Sequence, residues 1–148
     1  AILKDNIPRF ARFLLRGGDD FVQALVNRLD MEWEEADAVR RGMVVSEEAN
    51  NILEQEIFNF VGEIRRSIDY YIAQTQERTF SKVVLSGSGS VTIDLLQEMG
   101  KGLRLPVEIG KPFQNVQLGK LPYTAEEMAE IEPSVTVSIG LALREVVE

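Results

Sequence analysis

The sequence predicts an α/β domain in which a mixed sheet is flanked by helices. Three observations carry that prediction. An apolar stripe recurs every three or four residues through Leu53, Ile57, Phe60 or Val61, Ile64, Ile68 and Tyr71 or Ile72, the period of a long helix. The stretch from Lys82 to Ile109 reads strand, helix, strand, which demands parallel pairing and a right-handed crossover. The chain has 148 residues, 45% of them hydrophobic and 27% charged, the size and balance of one globular domain.

In chain order, apolar runs at 1–4 and 8–15 flank Lys4-Asp5-Asn6 and read as two strands of a hairpin, with Asp-Asn suited to its turn. Gly17-Gly18-Asp19-Asp20 breaks that pattern and starts a helix over about 19–29, with Asp as its cap and Phe21, Val22, Leu25, Val26 and Leu29 at helical spacing. Met31 to Arg41 is acidic first and basic last, the polarity of a short helix, and Gly42 stops it. Ser46-Glu47-Glu48 opens the long helix, expected over about 46–76 with Leu53, Ile57, Ile64 and Ile68 buried. Lys82 to Leu85 is a short strand, Ser86 to Ser90 a small-residue turn, and Val91 to Gly100 a helix. A strand follows at Pro106 to Ile109, then irregular chain from Gly110 to Pro122. Thr124 caps a short acidic helix, and Pro133 sits in the first turn of a last helix reaching about 147.

Composition narrows the chemistry. With no Cys and no His, the chain has no disulfide, no thiol nucleophile, no Ser-His-Asp triad and no Cys- or His-based zinc site. A net charge of −8 is the wrong sign for a nucleic-acid binder. No apolar run approaches the roughly 20 residues that cross a bilayer. The chain starts within an apolar segment without an initiator Met, and reads as a piece of something longer.

Three features can carry chemistry. Ser86-Gly87-Ser88-Gly89-Ser90 lies between a strand and a helix start, where small residues admit a ligand to the backbone and free amides favour an anion. It lacks a P-loop Lys and the third Gly of a dinucleotide fingerprint, so taken alone it reads first as a tight strand-to-helix turn. Gly17-Gly18-Asp19-Asp20 is a second such turn, either a helix cap or a phosphate contact. Two of them in one domain could face one ligand. Glu63, Arg65, Arg66 and Ser67 form a polar patch on the long helix, either solvated surface or a base and sugar contact. Glu34-Glu35, Glu47-Glu48 and Glu126-Glu127 are helix starts, and Trp33, Phe58 and Phe60 read as core or interface.

These segments resemble the actin-like ATPase superfamily. Gly17-Gly18-Asp19-Asp20-Phe21 resembles the Gly-Gly-acidic turn by which actin-like and heat-shock chaperone ATPases hold nucleotide phosphates. Glu63-Ile64-Arg65-Arg66-Ser67 is similar to their adenosine-contacting helix, and Val83 to Ser90 to their adenosine motif. Within the superfamily the likeness is to the PilM-like family of type IV pilus assembly. It is carried by Asp30 to Asp37, Glu63 to Tyr71, Leu105 to Glu108, Pro112-Phe113-Gln114-Asn115-Val116, and Ser138-Ile139-Gly140-Leu141-Ala142-Leu143-Arg144. Ser88 departs from the pattern, standing where relatives often have a second Gly.

The resemblance implies an actin-like (ribonuclease-H-like) fold. It makes residues 1–148 the second large domain, Leu15 to Gly42 its phosphate side and 82–148 its adenosine side. It implies ATP contacts from Gly17, Gly18, Asp19, Glu63, Arg66, Ser67, Gly87, Ser88 and Gly89, with Mg²⁺ held in the full-length protein. No catalytic or metal-ligating residue is assigned, and catalysis by this stretch alone is not expected. By the same resemblance the protein is cytoplasmic, peripheral to the inner membrane, and partnered by PilN-like assembly proteins. The Asp-x-Gly strand of the second phosphate motif would precede Ala1, so the sheet is expected to lack its first strand and to offer an open edge for homodimerisation. The alternatives are an interaction module with a vestigial nucleotide site and a cell-division ATPase of the FtsA type. A two-metal ribonuclease-H-like enzyme would need carboxylates clustered on strand ends, and strands 1–4, 8–15 and 82–85 carry none.

Overall fold

The structure, a computed structural model, describes residues 1–114, 116, 117, 119 and 121–144. Strands β1 (Ile2–Lys4) and β2 (Ile7–Phe10) form the expected antiparallel hairpin. Its turn residues Asp5 and Asn6 both have positive φ, 53° and 61°, as a two-residue turn between twisted strands requires. The second strand ends at Phe10, not Leu15. β1 offers only three residues to pair with, so the apolar run from Ala11 onward has no ladder, and Phe13 and Leu15 are each 85% exposed.

Helix α1 (Gly18–Leu29) starts one residue earlier than expected. Gly17 is its N-cap, and Asp20 closes the first turn by accepting from the Gly17 amide at 2.6 Å. Helix α2 (Trp33–Arg40) ends where Gly42 takes φ +74°. Helix α3 (Glu47–Thr75) is the long helix, opened by Ser46, whose Oγ accepts from the Ala49 amide.

Strand β3 (Val83–Leu85), helix α4 (Leu95–Leu103) and strand β4 (Val107–Ile109) make the crossover unit, with Val83, Val84 and Leu85 paired in parallel to Val107, Glu108 and Ile109. The helix begins later than Val91. A 3-10 turn over Ser88–Val91 intervenes, because the Ser90 and Thr92 hydroxyls bond back to the Gly87 and Gly89 carbonyls and hold the chain out of α-helix.

Helix α5 (Ala125–Ile131) has the expected Thr124 cap. Pro133 lies in a 3-10 turn (Glu132–Val135), and helix α6 (Thr136–Arg144) follows it. Asn115 of the Pro-Phe-x-Asn-Val loop and the expected helix end at 145–147 lie outside the described residues.

The α/β class holds, but the single mixed sheet does not. Among the described residues there are two separate two-stranded sheets, β1-β2 and β3-β4. The core is mainly helical: Phe21, Val22 and Leu25 of α1, Ala36 and Val39 of α2, Ala49, Leu53, Ile57 and Val61 of α3, and Leu95 and Met99 of α4. A Cβ on Gly102 would stand 2.5 Å from Val61 Cγ1, so any larger residue there would have to displace the Val61 side chain where α4 meets α3. Leu53 and Ile57 are buried as expected, whereas Ile64 and Ile68 are half-buried. Ile68 borders a surface recess of about 300 Å³ with Ile72, Phe80 and Leu103, and so meets open space on one side. Phe60 packs edge-on to Phe21, while Trp33 and Phe58 are exposed and belong to no core.

At the far end of α3, Phe10 of the hairpin packs on Tyr70 and Tyr71, and Phe80 on Tyr71. The Tyr71 hydroxyl donates to Glu77, which also takes the Lys4 ammonium. None of the described helices is long and apolar enough to cross a membrane.

Candidate functional site

The two glycine-rich turns meet. A Cβ on Gly18 would lie 2.7 Å from Gly89 Cα and 3.0 Å from its nitrogen, and one on Gly89 would lie 2.8 Å from the Gly18 nitrogen. Only residues without a Cβ let the two backbones approach so closely. The other two glycines of the pair of turns face open space: a Cβ on Gly17 or on Gly87 would meet nothing within 4 Å. Gly87 also needs its glycine for conformation, with φ at +95°. Its amide donates to the Pro133 carbonyl at 2.6 Å, which moors the turn to the segment before α6.

The dipoles at this junction are unequal. α1 is a 12-residue helix whose N-terminus carries the usual partial positive charge. The Ser86 to Ser90 turn was expected to open a helix as well, but it feeds the short 3-10 turn, and α4 starts only at Leu95. Any helix dipole at the site therefore comes from α1. Its first turn already holds an anion, the Asp20 carboxylate on the Gly17 amide, while the exposed Asp19 carboxylate makes no hydrogen bond among the described residues.

Glu63 is tied to the first turn through Arg16. The Arg16 Nε lies 3.3 Å from Glu63 Oε1, and its Nη1 lies 2.9 Å from Glu56 Oε2. Glu56, largely buried, takes Arg28 on its other oxygen at 2.8 Å. Ser67 Oγ donates to the Glu63 carbonyl at 3.0 Å, a bond within its own helix. Arg66 is exposed and forms no ion pair among the described residues. Thus Gly17, Gly18, Ser88 and Gly89 come together and Glu63 reaches them through Arg16. No hydrogen bond or ion pair among the described residues joins Glu63, Arg66 or Ser67 to Gly87, Ser88 or Gly89. Behind Arg16, a shallow recess of about 380 Å³ is lined by Asp20, Gln23, Asn27 and Arg28, and by none of the expected ligand glycines.

Sequence reasoning missed Arg40. It is 2% exposed, and all three of its guanidinium nitrogens are hydrogen-bonded. Nε and Nη2 donate to Asp37 Oδ1 at 2.9 and 2.6 Å, and Nη1 donates to the Ser88 carbonyl at 3.2 Å and to Thr92 Oγ1 at 3.0 Å. The signal was its spacing: Arg40 stands four residues after Ala36, on the face of α2 that turns inward. Arg16 and Glu56 were missed because their partners are distant in sequence.

The sequence matches the family described as Type IV pilus assembly protein PilM over residues 1–146. The fold is similar to a chain of the PilM-PilN type IV pilus biogenesis complex, with 25% sequence identity and a TM-score of 0.71. The similarity covers 86% of this chain and 36% of that one, so this chain spans about a third of its relative's length. No curated protein matches the sequence. With the family pattern running through nearly every element and the fold agreeing with it, the chain belongs to the type IV pilus assembly protein PilM family.

Proposed function

We propose that this chain supplies the adenosine side of an ATP cleft in a PilM-like protein with the actin-like (ribonuclease-H-like) fold. The observation that carries the reading is the backbone contact of Gly18 with Gly89. It sets the two turns that resemble nucleotide loops side by side, with open space beside Gly17 and Gly87, whose amides are bonded to Asp20 and to the Pro133 carbonyl. The α1 N-terminus favours a phosphate there by about 0.3–1 kcal/mol when exposed. Asp19 and Asp20 oppose it with like charge, and Asp20 already occupies the Gly17 amide. The two effects are of similar size, so this chain alone binds ATP weakly or not at all. Among the described residues no three carboxylates converge on one point, and no residue here is assigned to Mg²⁺ or to hydrolysis.

In the whole protein the rest of the cleft would come from beyond this stretch. That protein would work in the cytoplasm at the inner-membrane pilus platform with a PilN-like partner; the similarity to the PilM-PilN complex supports the pilus role and the partner. A second reading, an interaction module whose nucleotide site is vestigial, draws on the Asp20–Gly17 bond and the Arg16–Glu63 pair, which consume groups a nucleotide would use. Homodimerisation through an open strand edge is a further proposal.

Calorimetry with ATP on this chain and on the full-length protein separates these readings. Expected are negligible heat for the chain and clear binding for the longer protein, abolished by Gly87→Val. Because φ +95° strains any Val, Gly17→Val, where the backbone is extended, serves as the unstrained counterpart. No binding by the full-length protein favours the vestigial reading. Micromolar binding by this chain would overturn the division of the cleft.

A further inference from the structure

Arg40 grips the second glycine-rich turn at both ends of the residue. Its side chain holds the Ser88 carbonyl and Thr92 Oγ1, and its own carbonyl accepts from the Ile93 amide at 2.8 Å. Thr92 passes the grip on, since its Oγ1 donates to the Gly89 carbonyl at 2.8 Å. Gly89 in turn lies against Gly18 with no room for a methyl group. A displacement of Ser88 or Gly89 is therefore transmitted to the start of α1.

Taking a guanidinium out of water is costly unless its nitrogens find partners. Here the matching is done by Asp37, one turn earlier on α2, and by the very backbone that shapes the turn. An aliphatic residue would fill the same space with none of this cost, as Ala36 and Val39 do beside it. Lys could not substitute, because one ammonium on a flexible stem cannot hold Asp37, Ser88 and Thr92 in a planar fork.

We infer that Arg40, set by Asp37, is a positioning residue that fixes the Ser88 to Thr92 backbone and through it the spacing between the two glycine-rich turns. What those turns bind rests on the nucleotide reading above; how they are held does not.

The test uses the full-length protein with nitrogen-labelled glycine, as wild type, Arg40→Lys and Thr92→Val. Thr92→Val keeps the shape and removes only the hydroxyl, so it decides the matter if Arg40→Lys fails to fold. Expected in folded variants are shifted amide resonances for both Gly89 and Gly18, little change at Gly62, and a loss of tenfold or more in affinity for a fluorescent ATP analogue. A residue serving stability alone would lower the melting temperature and leave Gly18, Gly89 and the affinity unmoved, which overturns the proposal. If wild type binds no nucleotide while the two resonances still move, the positioning role stands and the nucleotide reading falls.

Discussion

Gly18 and Gly89 touch through their backbones, and neither position has space for a Cβ: the nearest approaches would be 2.7 and 2.8 Å. One contact thus joins the entry to α1 with the turn that follows β3. It explains why small residues recur at both places whether or not a ligand binds beside them.

The first prediction follows from the contrast with Gly17. Gly18→Ser should destabilise the protein by about 1–3 kcal/mol, the usual cost of forcing atoms into a packed contact. Gly17→Ser should be neutral or stabilising, since that position is open, extended and an N-cap, where Ser is favoured. Urea denaturation of the two variants checks both, and equal losses would show that the contact is absent.

Along α3, burial grades the cost of truncation. Ile57→Ala should cost about 2–5 kcal/mol, as for other fully buried aliphatic residues. Ile64→Ala should cost clearly less, because Ile64 is only half-buried against the same core. Thermal midpoints reversed in order would mean the stripe is misassigned.

The hairpin should carry an acid-sensitive anchor. The Lys4 ammonium and the Tyr71 hydroxyl bonded to Glu77 hold its carboxyl below the usual glutamate range. A lowered folded value adds stability above the unfolded value, about pH 4, which is lost as pH falls through the folded one. At the alkaline end the bonds to Glu77 raise both Lys4 and Tyr71, so their contribution persists below about pH 10 and is lost as pH climbs through the raised values. The stability difference between wild type and Glu77→Gln should be flat between those limits and shrink beyond each. A difference independent of pH from 3 to 7 would refute the anchor.

The β3-β4 pair should promote association. Among the described residues each of these strands has one partner, and Val84 is 52% exposed. An unpaired strand edge is a template for another chain. Sedimentation velocity should show concentration-dependent association that a Val84→Lys change weakens, whereas a clean monomer at high concentration counts against it.

Much of this molecule was determined by local chemistry that a sequence displays. Asp5-Asn6 selects a turn with two left-handed residues, Ser46 and Thr124 cap their helices, and the 3.6-residue period from Leu53 to Ile57 marks a buried face, each through neighbours a few residues away. The two glycine-rich turns were visible on the same terms. Only the tertiary structure decided that Gly18 rests on Gly89, that Arg16 takes Glu63, and that Arg40 is buried against Ser88 and Thr92. It also decided that the strands split into two pairs and that Ile64 and Ile68 stay half-buried. Those outcomes depend on groups brought together from distant parts of the chain. A periodic pattern states that a face will be covered, but the covering partner, and the polar groups that partner satisfies, exist only once the helices have packed.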